Sequence, residues 1–544
     1  MKKKIVALLL VMICAVSLVI TGCGGSKKTG AKKNIDVSAR NEFPIVEEKV
    51  ELTVFAPKST FIEDFETNEF TKYFEELTNV KIKWEIASGD ARQALNIKLA
   101  SGDYPDIILG FGFTKAQQLI YGQEQGILID IKDYIDEHGC YIKDMFESRP
   151  DIEEDITING AIYGLPKVEE SPYAVYPNCM WIYKPWMEKL GAELPTTTDE
   201  FYELLKRFRD EDPNGNGKKD EIAMHGRGVR GSAGLESYFM NSFVSTGDNR
   251  LSLIDGKVFF SANTDEYREG LRYLNKLYEE GLLYEDSFVA DRTALTSIGE
   301  NDVPILGGGV GLWAGYFTIN GSESRRIWDY VSVPPLKGPN GFVQSVEAST
   351  DHADSVGFVV TSACEYPEVA VKWIDWFFNE ENRIKAHNKE GFRKANEGEK
   401  GIDGTQALWA QDPIAPGSAG LGAVQNKGWS NFGVYYKPLE QDLKTALNDE
   451  YTRVVSGNRY EAYKQHLEFG KYVNLPSLLM SSEDAALYSD YNTTINNLVD
   501  NAFAEFVTGV RNIDSDKEWN NYVKSLNDAG LKEYLDIIKK YAEK

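Results

Sequence analysis

The sequence predicts an α/β protein with two lobes, and two observations lead to this prediction. Between residues 51 and 109, segments with the period of a β-strand alternate with segments of helical period, which favours a mostly parallel sheet flanked by helices. Without its N-terminal leader the chain has about 520 residues, and chains of that length divide into two or more domains. Residues 481–543 have a helical pattern almost throughout, so a helical C-terminal part is expected.

Five elements at the start of this region follow the order β-α-β-α-β. Residues 51–55 (ELTVF) are predicted to form a strand, and residues 62–77 carry apolar side chains at helical spacing. Residues 80–86 (VKIKWEI) alternate apolar and polar side chains, which is the pattern of a strand. Residues 90–100 form a second predicted helix, and a turn rich in Gly, Asp and Pro joins it to the apolar strand 107–109.

The remaining elements are predicted from the same periodicities and turn signals. Residues 303–333 combine Gly-rich turns with apolar runs, and we expect strands and loops there. The other predicted elements are a hairpin within 157–166, a strand at 178–183, and helices at 185–190, 196–209, 265–283 and 365–389.

The N-terminus has the pattern of a bacterial lipoprotein leader. Three lysines precede an apolar run of about 16 residues, which is shorter than the roughly 20 residues that span a bilayer. Residues 20–23 (ITGC) match the lipobox. We therefore expect residues 1–22 to be a cleaved signal peptide, Cys23 to carry a lipid, and residues 23–47 to be a flexible tether on the extracellular face of the cell membrane. An uncleaved membrane anchor, or an ordinary signal peptide with an incidental cysteine, is the alternative.

Charge and composition exclude several classes of function. The formal charge is −25, and loss of the three lysines of the leader makes it −28. A surface of that charge repels nucleic acid, and it disfavours a polyanionic ligand unless a local basic pocket overrides it. The five histidines show no HxxH or HExxH spacing, so a histidine metal site is not indicated. Cys140, Cys179 and Cys364 are odd in number and far apart, which argues against a disulfide framework.

Several longer motifs are spread over most of the mature chain. They are LTVF (52–55), KLASGDYPDII (98–108), INGAIYGLP (158–166), the segment from MWIYKPW to GKKDEI (180–222) and the closing segment from FVTGVRN to DIIKKY (506–541). With these motifs and the lipobox, the chain resembles the family 1 extracellular solute-binding proteins. The resemblance is strongest to the lipoprotein branch that includes the alginate-oligosaccharide-binding proteins and the LplA/LipO-type lipoproteins.

This resemblance implies a periplasmic-binding-protein-like fold, in which two α/β lobes joined by crossing segments hold the solute in an interlobe cleft and close by a hinge motion. We expect residues 48–165 and about 295–350 to form the N-terminal lobe, and about 166–294 and 351–544 to form the C-terminal lobe. The implied function is capture of a carbohydrate, in particular an oligosaccharide, by a monomer that delivers it to the permease of an ABC importer. No catalytic residue is implied.

The segment 212–223 has the spacing of a calcium-binding loop. Oxygen-bearing side chains stand at positions 1, 3, 5 and 9 and glycine at position 6, as in the first part of an EF-hand, where such alternation surrounds a hard cation with oxygens. Position 12 is Ala223 in place of glutamate, and Glu221 is the expected substitute. The resemblance implies a structural Ca²⁺ with the backbone carbonyl of Lys218 as one ligand; a solvated Asn-Gly turn is the alternative. The predicted ligands are Asp212, Asn214, Asn216, Lys218, Asp220 and Glu221.

Aromatic side chains in loops are the predicted walls of a sugar site, because sugars present apolar C–H faces together with polar hydroxyl edges. One group lies in a Gly-rich stretch near residue 313, a second lies in a Gly/Asn/Ser-rich loop near residue 430, and a third follows the strand 107–109, where open α/β sheets bind ligands. Core packing is the alternative for each ring. The predicted ligand-binding residues are Trp313, Tyr316, Trp429, Phe432, Tyr435, Phe111, Phe113, Asp90, Arg92 and Tyr173.

Two other classes of function remain open from the sequence. A secreted polysaccharide lyase or glycosidase would need paired carboxylates, and among 84 acidic residues such a pair can always be found, so its presence decides nothing. A peptide-binding or sensor lipoprotein is the second class. The aromatic loops favour a sugar over a peptide, and the family motifs favour binding without chemistry.

Overall fold

The computed structural model describes residues 32–33, 35–231, 233–319, 322–348, 353, 355–387, 391–413 and 424–543. The predicted signal peptide and Cys23 lie outside the described residues. The strands are β1 Val50–Pro57, β2 Val80–Ala87, β3 Ile107–Thr114, β4 Thr157–Ile158, β5 Ala161–Ile162, β6 Val168–Glu169, β7 Cys179–Tyr183, β8 Leu251–Ile254, β9 Lys257–Phe260, β10 Gly308–Gly311, β11 Tyr330–Val333, β12 Ser345–Val346, β13 Ser355–Val360, β14 Phe392–Lys394, β15 Trp409–Gln411, β16 Tyr436–Lys437, β17 Thr445–Leu447 and β18 Gly470–Lys471.

Helices flank and connect these strands, and short helical turns at Leu119–Glu124, Met240–Ser242, Asp248–Arg250, Glu285–Phe288, Ala314–Tyr316, Arg326–Asp329 and Trp376–Phe378 supplement them. The α-helices are α1 Glu69–Thr78, α2 Ala91–Ser101, α3 Lys115–Gln118, α4 Lys132–His138, α5 Tyr141–Ser148, α6 Pro150–Ile156, α7 Pro172–Val175, α8 Lys184–Leu190, α9 Thr198–Asp210, α10 Leu235–Phe239, α11 Asp265–Glu279, α12 Arg292–Gly299, α13 Pro367–Asp375, α14 Glu380–His387, α15 Leu439–Leu443, α16 Glu450–Leu467, α17 Ser482–Val507, α18 Asp516–Asp528 and α19 Leu531–Ala542.

The predicted β-α-β-α-β order is confirmed, and it builds a sheet with the strand order β13-β3-β1-β2. β1 pairs in parallel with β2 and β3, and β13 joins the sheet antiparallel to β3. Helix α1 begins at Glu69 rather than at residue 62, because the Asn68 side chain accepts a hydrogen bond from the Phe70 backbone N–H and caps the helix there. The predicted helical character of residues 481–543 is also confirmed, by α17, α18 and α19.

Buried apolar side chains form two large cores, one in each lobe. The first core takes residues between 45 and 168, between 353 and 386, and also Trp429 and Val434. The second core takes residues between 179 and 336 and between 455 and 542. The chain therefore passes between the lobes three times, which is the arrangement expected of a two-lobe binding protein.

Two segments, and also Trp429 and Val434, belong to the lobe opposite to the one expected from the sequence. Residues 295–336 pack in the second core, because β10 and β11 pair with the two sides of β7. The segment from Ala353 to Ala386 packs in the first core, because β13 pairs with β3. The sequence pattern of a strand does not specify which other strand it pairs with. The lobe to which each of these segments belongs is therefore decided by tertiary pairing.

Short strands and buried polar contacts tie the crossing segments to one another and to the second lobe. β6 pairs with β16, and β12 pairs with β18. The buried ammonium of Lys437 donates to Ser171 Oγ at 3.1 Å and to Asp442 Oδ2 at 2.8 Å, and Ser171 Oγ donates to the same Asp442 oxygen at 2.8 Å. This cluster lies where the hinge of such a fold is placed.

The described residues of the predicted tether are docked onto the first lobe, where the Lys33 backbone N–H donates to the Glu365 carbonyl at 3.0 Å. Val37 forms a β-bridge with Val46, and Ile45 and Val46 are fully buried in the first core. The ammonium of Lys372 donates to the carbonyl oxygens of Ser38 and Ala39, at 2.6 Å each. The expected flexibility of 23–47 is therefore wrong for residues 35–47, because their apolar side chains have a core to enter. Within the described ranges, every helix is too short or too polar to span a bilayer.

Candidate functional site

The loop from Asp212 to Glu221 follows α9 and is organised by its own polar side chains. Asp212 Oδ1 accepts the backbone N–H groups of Gly215 and Asn216 at 3.0 and 3.1 Å, and Asp212 Oδ2 accepts that of Gly217 at 3.1 Å. The side-chain amides of Asn214 and Asn216 donate to Asp220 Oδ1 at 2.9 and 3.0 Å. These hydrogen bonds lower the pKa of Asp220.

Glu221 supplies the observation that tests this loop as a cation site. Its Oε1 atom is buried and has no hydrogen-bond partner among the described residues. Burial raises the pKa of Glu221, and the neighbouring charges of Asp212 and Asp220 raise it further. A hard cation would remove this penalty and satisfy the orphan oxygen, so the residues fit Ca²⁺.

Coordination of a cation by this loop requires a change in the orientation of two side-chain amides. The Asn214 and Asn216 nitrogens face Asp220, and both side chains would have to turn their oxygens toward the ion. No cluster of three or more His, Cys, Asp or Glu side chains is placed for metal binding in the part of the chain that the structure describes. Lys218, a predicted ligand through its carbonyl, donates its backbone N–H to Asn216 Oδ1 at 2.7 Å.

The strand-like segment after this loop connects it to β10. The Ile222 N–H donates to the Ile305 carbonyl at 2.7 Å, and the Gly307 N–H donates back to the Ile222 carbonyl at 2.8 Å. The His225 N–H then donates to the Gly308 carbonyl at 3.0 Å. The position of the loop is thereby coupled to the strand that ends just before Trp313.

Trp313 and Tyr316 form a pair of half-buried rings just beyond β10 in the second lobe. The guanidinium of Arg459, on α16, lies 5.1 Å from the centre of the Trp313 ring. The guanidinium groups of Arg227 and Arg292 lie 5.3 and 5.9 Å from the centre of the Tyr316 ring. Rings flanked by guanidinium groups offer an apolar face and several N–H donors together, which suits a ligand with C–H faces and hydroxyl edges.

In the first lobe, Arg92 and Phe432 each contact a glycine of β3. Exposed Arg92 donates from Nη1 to the Gly112 carbonyl at 2.9 Å, and exposed Asp90 caps α2 by accepting from the Gln93 N–H at 2.8 Å. Phe432 packs over Gly110, where a Cβ atom would lie 2.8 Å from its ring, so that glycine permits the close approach. Asp90 therefore has a local structural role, and Arg92 and Phe432 remain accessible candidates.

Four of the predicted ligand-binding rings belong to the protein interior. Trp429, Tyr435, Phe111 and Phe113 are only 1, 1, 4 and 0% exposed. β3 continues to Thr114, beyond the predicted end at residue 109, so Phe111 and Phe113 are strand residues that enter the core. The prediction that these four rings line a cleft is therefore corrected.

Trp429 is enclosed by other rings of the first core and by Thr71. Its ring stacks on Phe377 with centroids 5.0 Å apart, and its Nε1–H donates to Thr71 Oγ1 at 2.8 Å. Tyr435 donates to Glu169 Oε2 at 3.1 Å, next to the crossing segments. Tyr173 belongs to α7, and its side chain lies outside the described part of the structure.

No pattern in the sequence indicates that Arg227, Arg292 and Arg459 belong to the site. The three arginines come from separate elements, 65 residues or more apart, and none stands in a recognisable motif. Only the packing of α16 and of the segments around β10 brings them to the two rings. Tertiary structure was needed to find this part of the site.

Comparison with known proteins is consistent with this architecture. The chain is 27% identical over 563 aligned residues to the fructooligosaccharide ABC transporter substrate-binding protein FusA of Streptococcus pneumoniae, with 99% of this chain and 98% of FusA covered. It is 26% identical over 357 residues to lipoprotein LipO of Bacillus subtilis, with 63% of each chain covered.

Solved structures show the same fold. FusA of S. pneumoniae in complex with kestose has a TM-score of 0.70 at 24% identity, with 90% of this chain and 98% of that chain covered. An EF-hand mutant of FusA in complex with fructo-nystose has a TM-score of 0.68 at 24% identity, covering 90% and 98% of the two chains. An extracellular solute-binding protein from Bifidobacterium longum subsp. infantis has a TM-score of 0.73 at 23% identity, covering 90% and 97%.

The family model of the bacterial extracellular solute-binding proteins matches residues 56–384, which is more than half of the chain. The match extends from β1 to α14 and so includes strands of both lobes, the predicted calcium loop and the ring pair after β10. The chain belongs to the bacterial extracellular solute-binding protein family.

Proposed function

We propose that this protein captures an oligosaccharide between its lobes and delivers it to the permease of an ABC importer. The observation that carries the proposal is the pair of half-buried rings, Trp313 and Tyr316, with guanidinium groups beside them at the end of β10. Arg92 and Phe432, which each contact a glycine of β3, are the proposed contacts from the first lobe. The full-length similarity to FusA, which is named for a fructooligosaccharide, supports a carbohydrate over a peptide.

The proposed location is the outer face of the cell membrane, with Cys23 as the lipidated residue. The leader pattern of residues 1–22 supports this, and one relative is itself named a lipoprotein. The proposed tether is the Gly/Ser/Lys-rich stretch that follows Cys23 in the sequence. The protein would act there as a monomer.

An oligosaccharide panel tests the capture function against the enzyme and peptide alternatives. At a ligand concentration of about 100 times Kd, binding stabilises the folded state by about 2.7 kcal/mol, so we expect a clear rise in melting temperature with at least one oligosaccharide. Chromatography should recover that sugar unchanged. Appearance of shorter products would indicate a lyase or glycosidase, and stabilisation by peptides alone would favour the peptide-binding alternative.

We also propose that Ca²⁺ binds at Asp212, Asn214, Asn216, Asp220, Glu221 and the Lys218 carbonyl as a structural ion. The orphan Glu221 oxygen supports this, and the FusA relative has an EF-hand. The ion would fix the segment from Ile222 to Arg227 against β10, and through it the ring pair.

Removal of calcium is expected to lower the melting temperature, and added Ca²⁺ should restore it, because the ion binds the folded loop and not the unfolded chain. The Glu221→Gln variant should respond to Ca²⁺ much less than the parent protein. Glu211→Gln is the matched control, since Glu211 is exposed, lies just outside the loop and pairs with Arg207 at 3.0 Å. Equal melting curves with chelator and with Ca²⁺ would remove the calcium proposal.

A further inference from the structure

Helix α16 carries half-buried side chains that continue from the proposed sugar contact at Trp313. Arg459, whose guanidinium lies beside the Trp313 ring, stands four residues before Tyr463. Residues four apart in an α-helix lie on the same face, one turn or about 6 Å along the axis. The Tyr463 ring stacks on the Tyr460 ring, with centroids 6.1 Å apart and planes inclined by 18°. A second pair of rings therefore lies one helical turn from the arginine that flanks Trp313.

Tyr463 connects this helix face to the crossing segments. Its ring centroid lies 5.9 Å from that of buried Tyr176, which follows α7 in the first crossing segment. The Tyr176 hydroxyl donates to Glu347 Oε1 at 3.0 Å, and Glu347 follows β12 in the second crossing segment. Burial raises the pKa of Tyr463, and the nearby Tyr460 and Glu347 raise it further. A half-buried carboxylate is thus held beside the tyrosine rings.

Glu347 has an oxygen to offer to a ligand. Within the described residues, the one hydrogen bond that its carboxylate receives is that from Tyr176, and this bond uses Oε1. Half-buried acids of the other crossing segments lie against a cation, since Glu169 and Asp442 are 3.3 and 2.8 Å from the Lys437 ammonium. A carboxylate has about four acceptor positions, so Glu347 can accept further hydrogen bonds from hydroxyl groups.

We propose that Glu347 and the rings of Tyr460 and Tyr463 form a further subsite of the oligosaccharide site, next to the crossing segments. A sugar unit there stacks its C–H face on a tyrosine ring and donates hydroxyl groups to Glu347, through hydrogen bonds that the negative charge strengthens. The ligand extends from Trp313 along α16. A sugar unit with its own carboxylate is disfavoured in this subsite, because the two negative charges repel each other. This inference rests on the proposed function and specifies the chemistry of one part of the same site.

Calorimetry on the mature chain tests the role of Glu347. The probes are malto-, cello-, xylo- and fructo-oligosaccharides of two to five units, oligogalacturonides of the same lengths, and the mono-deoxy derivatives of the sugar that binds most tightly. Glu347→Gln is nearly isosteric and should weaken binding of that sugar by about 10- to 100-fold. At least one deoxy derivative should lose affinity in the parent protein and lose much less in Glu347→Gln, because the hydroxyl and the carboxylate are partners.

Variants of the two tyrosines test the stacking platform. Tyr463→Leu and Tyr460→Leu should each weaken binding by about tenfold, and Tyr463→Phe should retain most of the affinity that leucine loses, because it keeps the ring. Glu461→Gln is the matched control, since Glu461 is an exposed acid of the same helix and pairs with Lys464 at 2.7 Å. It should bind the sugar as the parent does. Melting temperatures of all variants establish that they are folded.

The outcomes distinguish this subsite from the proposed function. Unchanged affinity in Glu347→Gln and in both leucine variants overturns the subsite and leaves oligosaccharide capture at Trp313 intact. Equal losses for every deoxy derivative in the parent and in Glu347→Gln overturn hydroxyl binding by Glu347, as does tightest binding by an oligogalacturonide. Failure of every sugar in the panel removes the proposed function and this inference with it.

Discussion

Replacing Arg250 by alanine is expected to lower the free energy of unfolding of the second lobe by about 3–5 kcal/mol. The Arg250 side chain is 1% exposed, and its Nε donates to Glu236 Oε1 at 2.8 Å, where the Glu236 side chain is 3% exposed. Its other nitrogens donate to Asn496 and Asp500 of α17. Alanine would leave the Glu236 carboxylate buried without a counter-charge, and this uncompensated charge is the main cost.

Arg230→Ala is the matched control because Arg230 binds the second oxygen of the same Asp500. Its side chain is 39% exposed and its Nη2 donates to Asp500 Oδ2 at 2.8 Å. An exposed ion pair contributes only about 0–1 kcal/mol, so this variant should unfold almost as the parent does. Denaturant melts measure both differences.

A double variant identifies the source of the larger effect. Adding Glu236→Gln to Arg250→Ala replaces the unpaired carboxylate with a neutral amide, and part of the lost stability should return. If the two single arginine variants cost the same, or if the amide brings no recovery, the cost does not come from a buried charge.

Replacing Trp429 by alanine is expected to destabilise the first lobe by about 3–5 kcal/mol, because it removes a large side chain from a filled core. The Trp429 ring contacts Phe70 and Trp84 with centroids 5.3 and 5.4 Å apart, in addition to Phe377. Its loss also leaves Thr71 without the indole hydrogen bond. We expect this variant to lose ligand binding only under conditions in which the first lobe also unfolds.

Trp313→Ala is the contrasting variant, since Trp313 is half-buried beside Arg459 and is a proposed ligand contact. Its unfolding free energy should change by less than about 2 kcal/mol, as expected for a side chain outside a close-packed core. The affinity for the best oligosaccharide should fall while the protein stays folded. Calorimetry and denaturant melts on both variants decide between the two roles. If the Trp429→Ala variant is as stable as the parent protein but binds the oligosaccharide poorly, Trp429 is a ligand contact after all.

Local patterns in the sequence determined much of this protein. The alternation of Val80–Ala87 and the apolar run that begins β3 predicted their strands, since a two-residue period depends only on neighbours along the chain. The oxygen spacing from Asp212 to Glu221 predicted a loop whose side chains do converge. The family motifs led to the solute-binding fold, which the family match over residues 56–384 supports.

The tertiary structure alone decided which rings are buried and which charges meet. Trp313 and Trp429 both lie in Gly-rich loops, yet one is half-buried beside an arginine and the other is enclosed by six aromatic side chains. Whether a residue is buried depends on distant segments of the chain that pack around it. The local periodicity of the sequence carries no information about those segments. The same reason explains why residues 295–336 joined the second lobe, and why Arg227 and Arg292 met at Tyr316 without any signal in the sequence.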